Sequence, residues 1–301
     1  NVSIASVYGN SSATFNNAAI NNKGLELSIG ALGNIGDFTI NGNITYAYNK
    51  NKVTKLYNEI TNISDLLNAS YVRGYPMGSL FTFDYAGIKD GIPCIADNEG
   101  NQIPITDGSI WYMDYKKLLH YQGTTVPPHT VGLNLGLQWK YISLNAYING
   151  RFGGKMLMPT FNYLYIDNYG NKKNISAQIA DLMDKNGNIR TGLNNNLALP
   201  GTDGSGNAIT INEYSYWSLF NNSLSQRIES SSYIYLSEID INCTLPDNLF
   251  YNKMIKAIDI FGKLENVGML WSANSKHYNP NFLPGSYQPM LTFTLGASIK
   301  F

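Results

Sequence analysis

The side chains of this 301-residue sequence that could do chemistry are few and scattered. Its three histidines, His120, His129 and His277, fall in separate segments without metal-ligand spacing. No G-x-S-x-G, phosphate loop or Cys–His pair is present. Asp84, Glu238 and Asp240 are the carboxylates an acid–base mechanism could draw on, but their setting reads better as a solvated wall. No catalytic residue, metal or cofactor is expected. The pattern Asp-x-x-Gly-Asn recurs at 97–101, 167–171, 184–188 and 203–207. The copy at 184–188 imitates the start of a calcium loop, yet Ile189 replaces the required glycine and no glutamate closes it. All four read as turns, in which Asp caps the chain reversal and Gly takes the positive φ. Three aromatic clusters remain: Trp111, Tyr112 and Tyr115; Phe161, Tyr163, Tyr165 and Tyr169; Tyr214, Tyr216, Trp217 and Phe220. Their faces can stack on sugars or peptide side chains, build a protein interface, or hold a long loop together.

The elements that must position these residues are strands. From Leu291 to Phe301 apolar and polar residues alternate strictly, with Leu291, Phe293, Leu295, Ala297, Ile299 and Phe301 on one face. About 10 residues of such alternation cross a bilayer when tilted. A first hairpin joins 24–31 to 38–48 through a turn at 33–36. A second, the clearest, sets Val131, Leu133, Leu135, Leu137 and Trp139 against Ile142, Leu144, Ala146, Ile148, Gly150 and Phe152 across Lys140-Tyr141. Asn134, Gln138, Asn145 and Asn149 occupy its other face. A third joins 233–245 to 255–264 through 246–251, with Glu238, Asp240 and Asn242 on the polar side. Trp139, Tyr141 and Phe152 stand at strand ends, as the aromatic girdles of a membrane barrel do.

The connections alternate in length. Those at 33–36, 140–141 and 246–251 are short; those at 50–128, 153–229 and 265–288 are long. The stretch 50–128 is too long for a plain loop and must carry structure of its own, including a strand at 79–85. With the final residue periplasmic, every short connection falls inside and every long one outside, the asymmetry of outer-membrane barrels. Composition agrees: Lys+Arg and Asp+Glu balance at 21 each, so no basic field speaks for nucleic acid, and charge is held to 14% while Tyr reaches 22. No run of 18 apolar residues forms a transmembrane helix. Cys94 falls in an outer loop and Cys243 in a membrane strand, so no disulfide is expected between them.

These segments also carry a resemblance. Ile20-Asn21-Asn22-Lys23-Gly24-Leu25-Glu26 opens one strand, and Asn49-Lys50-Asn51-Lys52-Val53-Thr54-Lys55-Leu56 closes the next. Gly74-Tyr75-Pro76-Met77-Gly78-Ser79 leads to Tyr85-Ala86-Gly87-Ile88. The segment 233–246, Glu265-Asn266-Val267 and Tyr278-Asn279-Pro280 follow. In that order they resemble the C-terminal third of a SusC/RagA-type TonB-dependent outer-membrane transporter of Bacteroidetes. The resemblance implies an all-β, antiparallel transmembrane barrel of about 22 strands with a plugged lumen. It implies a SusD-like surface lipoprotein as lid, energy from TonB acting through the plug, and oligosaccharide or peptide as cargo. Residues 1–301 are then expected to be the C-terminal portion of the barrel, with the plug domain and N-terminal barrel strands lying outside this chain. Phe301 becomes the assembly signal, periplasmic and in contact with lipid at the rim. Trp111, Tyr112, Tyr115, Tyr163, Tyr165, Tyr216 and Trp217 become the residues to touch lid or substrate. Two other readings remain: a secreted β-sandwich adhesin or binding protein, and an outer-membrane barrel enzyme.

Overall fold

The computed structural model of the chain describes residues 2–3, 12–13, 18–89, 92–105, 107–158, 197–202, 208–211, 223–246, 254–282 and 286–301. In chain order the strands are β1 (Val2–Ser3), β2 (Ser12–Ala13), β3 (Ala18–Ile35), β4 (Phe38–Leu56), β5 (Ser79–Lys89) and β6 (Ile92–Ala96). Next come β7 (Gln102–Pro104), β8 (Leu119–Thr124), β9 (His129–Trp139), β10 (Ile142–Phe152), β11 (Lys155–Leu157) and β12 (Leu197–Thr202). The last are β13 (Ala208–Ile211), β14 (Ile228–Ser230), β15 (Tyr233–Pro246), β16 (Ala257–Ser272) and β17 (Thr292–Lys300). Two short helices, α1 (Ile63–Leu67) and α2 (Tyr115–Leu118), interrupt them. Among the described residues no helix is long and apolar enough to cross a membrane. The chain divides into a loop unit, Asn1–Ala19, Val53–Thr124 and Leu157–Ile228, and a wall unit, Ile20–Lys52, Thr125–Met156 and Glu229–Phe301.

The wall is a seven-stranded sheet in the order β17-β16-β15-β10-β9-β4-β3. Its register aligns like with like across the strands. One row runs Ile40, Leu137, Leu144, Ile241, Gly262, Leu295. The next, pointing the opposite way, runs Asn41, Gly136, Asn145, Asp240, Lys263, Thr294. Because successive side chains alternate faces, this register gives one apolar and one polar face, and a slip of one residue would mix them. The apolar face is bare: Ile40, Leu137, Leu144, Ile241 and Leu295 are 38–69% exposed. A β-sandwich would cover such a face with a second sheet.

On the polar face, glycine makes room for the residues opposite. The Asn41 amide occupies the space a Cβ on Gly136 would need, and the Phe261 ring does the same at Gly296.

Bulges explain where the alternation failed in sequence. In β15, Ile148 pairs with Leu236 and Tyr147 with Glu238, leaving Ser237 as the extra residue. The apolar side therefore runs Ile234, Leu236, then Ile239, Ile241 and Cys243. In β16, Asn266 (φ +58°) and Gly268 (φ +143°) take the left-handed region where the register shifts. The ladder nevertheless continues to Ser272, so residues 265–272, expected in a loop, belong to a strand. The first hairpin is also longer than its alternation, and its turn narrows to Gly36-Asp37. The second hairpin turns at Lys140-Tyr141 as expected.

Ring pairs mark both ends of the apolar face. At the short-turn end Phe38 stacks on Trp139, centroids 6.0 Å apart. Lys140 Nζ lies 5.3 Å from the Trp139 ring and 3.6 Å from Asp37. At the other end the Tyr46 hydroxyl meets His129 Nδ1 at 2.8 Å, Tyr48 packs 5.0 Å from the same ring, and Phe152 stacks on Trp271 at 6.3 Å. Phe38 to Tyr48 is about 34 Å of strand; tilted about 45°, it spans about 24 Å, close to the apolar band of an outer-membrane barrel.

The connection between β4 and β9 does carry structure of its own. β5 to β8 form a four-stranded sheet in the order β7-β6-β5-β8, and α1 and α2 pack against it. Ile63, Leu66, Phe83, Ile95, Ile110 and Leu118 are buried in its core together with Leu224 from the later connection. The Asn62 carboxamide caps α1 by accepting from the Asp65 N–H at 2.8 Å. Cys94 is buried in β6, while Cys243 lies in β15 of the wall.

Candidate functional site

The polar face of the wall holds a charged cluster and an open pocket. Lys263 Nζ sits 2.8 Å from Glu238 and 3.1 Å from Glu265, with Asp240 paired beside it in register. Glu238, singled out in sequence as an acid, is therefore an ion-pair partner. Toward the end where the long connections leave, Thr130, Asn149, Arg151, Tyr233, Tyr235 and Asn281 line a cavity of about 340 Å³. The β15 bulge shapes it: Ser237 Oγ donates to the Tyr147 carbonyl at 2.9 Å and accepts from Asn149 Nδ2 at 3.2 Å. The Tyr233 hydroxyl donates to Asn281 Oδ1 at 2.9 Å, tying the segment before β17 to the wall. Amides, hydroxyls and one guanidinium give this surface hydrogen-bonding groups of both kinds beside the apolar Phe282 and Pro289.

The loop unit contains a smaller cavity of about 260 Å³, lined by Glu59, Ile60, Arg73, Tyr75, Phe81 and Tyr115 among others. Tyr75, Phe81 and Tyr121 pack ring against ring at 5.0–5.7 Å. Burial pushes the Tyr121 phenol above its ordinary 10.0. Arg73 and Glu59 pair at 3.2 Å near the mouth, an exposed contact of small energetic weight.

The aromatic residues expected to touch a ligand or lid meet different fates. Tyr115 is half-buried, lines the loop-unit cavity and donates its hydroxyl to the Ile60 carbonyl at 3.2 Å. Tyr112 is 93% exposed at the end of a 3-10 turn. Trp111 belongs to the same turn by its backbone. Tyr163, Tyr165, Tyr216 and Trp217, with the rest of their clusters, lie outside the described residues. Phe301 is 71% exposed, one residue beyond β17.

The turn at 97–101 forms as the pattern predicts. Asp97 Oδ1 accepts the N–H groups of Glu99 and Asn101, and Oδ2 accepts Asn101 Nδ2. Gly100 supplies φ +84°. The Asn101 side chain, ahead of the backbone donors, holds the Asp97 carboxyl below its ordinary 3.8. Both of its oxygens accept hydrogen bonds from the turn's own donors. The other three copies lie outside the described residues. His120 Nδ1 lies 2.8 Å from Asp84, and Thr82 pairs with His120 in register. These are the residue types of a nucleophile triad, but Thr82 is 2% exposed, so no substrate reaches its hydroxyl.

Sequence reasoning passed over the Arg151 pocket. The available signal was that Arg151 is the lone Asp, Glu, Lys or Arg in β9 and β10.

No protein-family model matches the chain. It is 22% identical over 327 residues to "TonB-dependent receptor P3" of Formosa agariphila, covering 97% of this chain and 30% of that protein. A solved structure of the RagAB peptide transporter superposes with TM-score 0.64 at 18% identity, covering 100% of this chain and 31% of that one. The RagAB peptide importer in its "closed-closed" state gives TM-score 0.64 at 18% identity, over 100% of this chain and 32% of that one. The fold is thus that of an outer-membrane β-barrel transporter. Within that class the chain is similar to the SusC/RagA-type TonB-dependent transporters, and it spans about a third of the length of the proteins it matches.

Proposed function

We propose that this chain is wall and outer loops of an outer-membrane, TonB-dependent importer of oligosaccharides or peptides. The observation that carries the reading is the seven-stranded sheet with one bare apolar face, bounded at both ends by ring pairs, and a polar reverse side. The apolar face meets lipid and the polar face meets a plugged lumen. The short turns are periplasmic and the long connections extracellular. The plug, through which TonB acts, and the remaining strands belong to the rest of the barrel. A SusD-like lipoprotein closes over the loops, and the exposed Tyr112 is a contact for that lid or for cargo, as are Trp111, Tyr115, Tyr163, Tyr165, Tyr216 and Trp217. Phe301 is the residue read during assembly. The names of the similar proteins, a receptor and a peptide importer, support transport over catalysis. The test is uptake: cells with the intact transporter should accumulate labelled oligomers only while TonB is energised. Accumulation unaffected by loss of TonB would overturn the reading.

A further inference from the structure

We propose that the pocket around Arg151 binds the carboxylate of an acidic oligomer; this rests on the importer reading and names its substrate chemistry. Arg151 is the last polar-face residue of β10 before Phe152, and it lines the pocket. None of the ion pairs among the described residues includes it. Its own row across the sheet is Ala47, Thr130, Arg151, Tyr233, Ser272, and the neighbouring polar row is Thr45, Gly132, Asn149, Tyr235, Met269. Neither row holds an acid. Of the carboxylates further along that face, Glu238 and Glu265 are engaged by Lys263, Asp259 accepts from the Thr244 hydroxyl, and Asp240 stands beside Lys263 in register. The pocket lining, Arg151 apart, carries no charge at all.

An exposed guanidinium surrounded by neutral groups is a ready partner for a carboxylate, because its planar fork matches the two oxygens. The neighbours complete the site. The amides of Asn149 and Asn281 and the Thr130 hydroxyl supply hydrogen bonds for hydroxyl or peptide groups beside the acid. Tyr235, Phe282 and Pro289 offer apolar surface to a sugar ring or an aliphatic stem. A volume of about 340 Å³ takes one residue or one sugar unit of a longer chain. Two ligands present this chemistry, an acidic peptide and a uronate-containing oligosaccharide.

The experiment measures binding of two matched pairs to the complete transporter in detergent. One pair is a short peptide with Glu and the same peptide with Gln. The other is a uronate oligosaccharide and its methyl ester. The wild-type protein should favour the acidic member of one pair by about 10-fold or more. Arg151→Gln should abolish that preference while leaving the neutral member bound as before, and Arg151→Lys should keep part of it. The pair that shows the preference identifies the source. Equal binding of acidic and neutral members by the wild type, or a preference untouched in Arg151→Gln, overturns the subsite alone. A transporter that neither binds nor takes up any of the four overturns the importer reading with it.

Discussion

Replacing Leu135 with arginine sets the two faces of the wall against each other. Leu135 lies about 14 Å of strand from Trp139 and about 20 Å from His129; with a tilt of about 45° it is about 10 Å and 14 Å from the two ring belts. That is close to the middle of an apolar band, where Arg costs about 2–4 kcal/mol. The folded fraction relative to unfolded should drop by about 30- to 900-fold. Asn145 provides the control, since it pairs with Gly136, the next residue of β9, and faces the other way. Asn145→Arg puts a guanidinium across from Asp240 and should change stability by no more than about 1 kcal/mol. The assay is the outer-membrane level of heat-modifiable protein for the intact transporter carrying either change. Equal losses for Leu135→Arg and Asn145→Arg, or a larger loss for Asn145→Arg, would refute the facing.

Other expectations are narrower. Gly136→Val should destabilise by about 1–3 kcal/mol, because the Asn41 amide fills the space of the new side chain, and Asn41→Gly should restore much of the loss in denaturant titration. The Asp97 carboxyl is held low, so its contribution is present above 3.8 and is lost as the pH falls through its lower folded value. The protection of the Glu99 and Asn101 amides, measured against their intrinsic exchange rates, should fall on acidification below 3.8, and in Asp97→Asn that added acid dependence should vanish. Deleting Phe301 should lower the amount inserted more than the stability of what inserts, since one exposed rim side chain contributes at most about 1–3 kcal/mol. Unchanged insertion would remove its role as an assembly signal.

The legible parts of this fold are those where local pattern and ladder coincide. β9 and β10 pair without a bulge, so alternation gave their ends, their turn and their faces. β15 and β16 hide behind bulges: one extra residue at Ser237 turns Glu238 from the apolar to the polar side, and positive φ at Asn266 breaks the period while the hydrogen bonds continue. The loop unit was legible only as a length too great for a bare loop. Its core draws Leu224 from a connection more than a hundred residues downstream of Phe83, a pairing no local window reports. The site divides likewise. The lone charge at Arg151 is visible in sequence, but that its own row and the neighbouring polar row hold no acid is a property of register across five strands. Tyr112 and Tyr115, three residues apart, looked alike until packing half-buried one and left the other bare.

The facing of β9 can be read residue by residue. With Cys94, Cys243 and any cysteine in the rest of the transporter replaced by alanine, single cysteines at each position from Thr130 to Gln138 carry a nitroxide in the intact transporter, reconstituted in vesicles. Collisions with oxygen, which partitions into lipid, should peak at Val131, Leu133, Leu135 and Leu137. Collisions with a water-soluble nickel chelate should peak at Thr130, Gly132, Asn134, Gly136 and Gln138. Two opposed profiles of period two are the predicted result for a wall between lipid and lumen. Chelate access at Leu133, Leu135 and Leu137 equal to that at Asn134 and Gly136 would show both faces in water, and the membrane wall would be wrong.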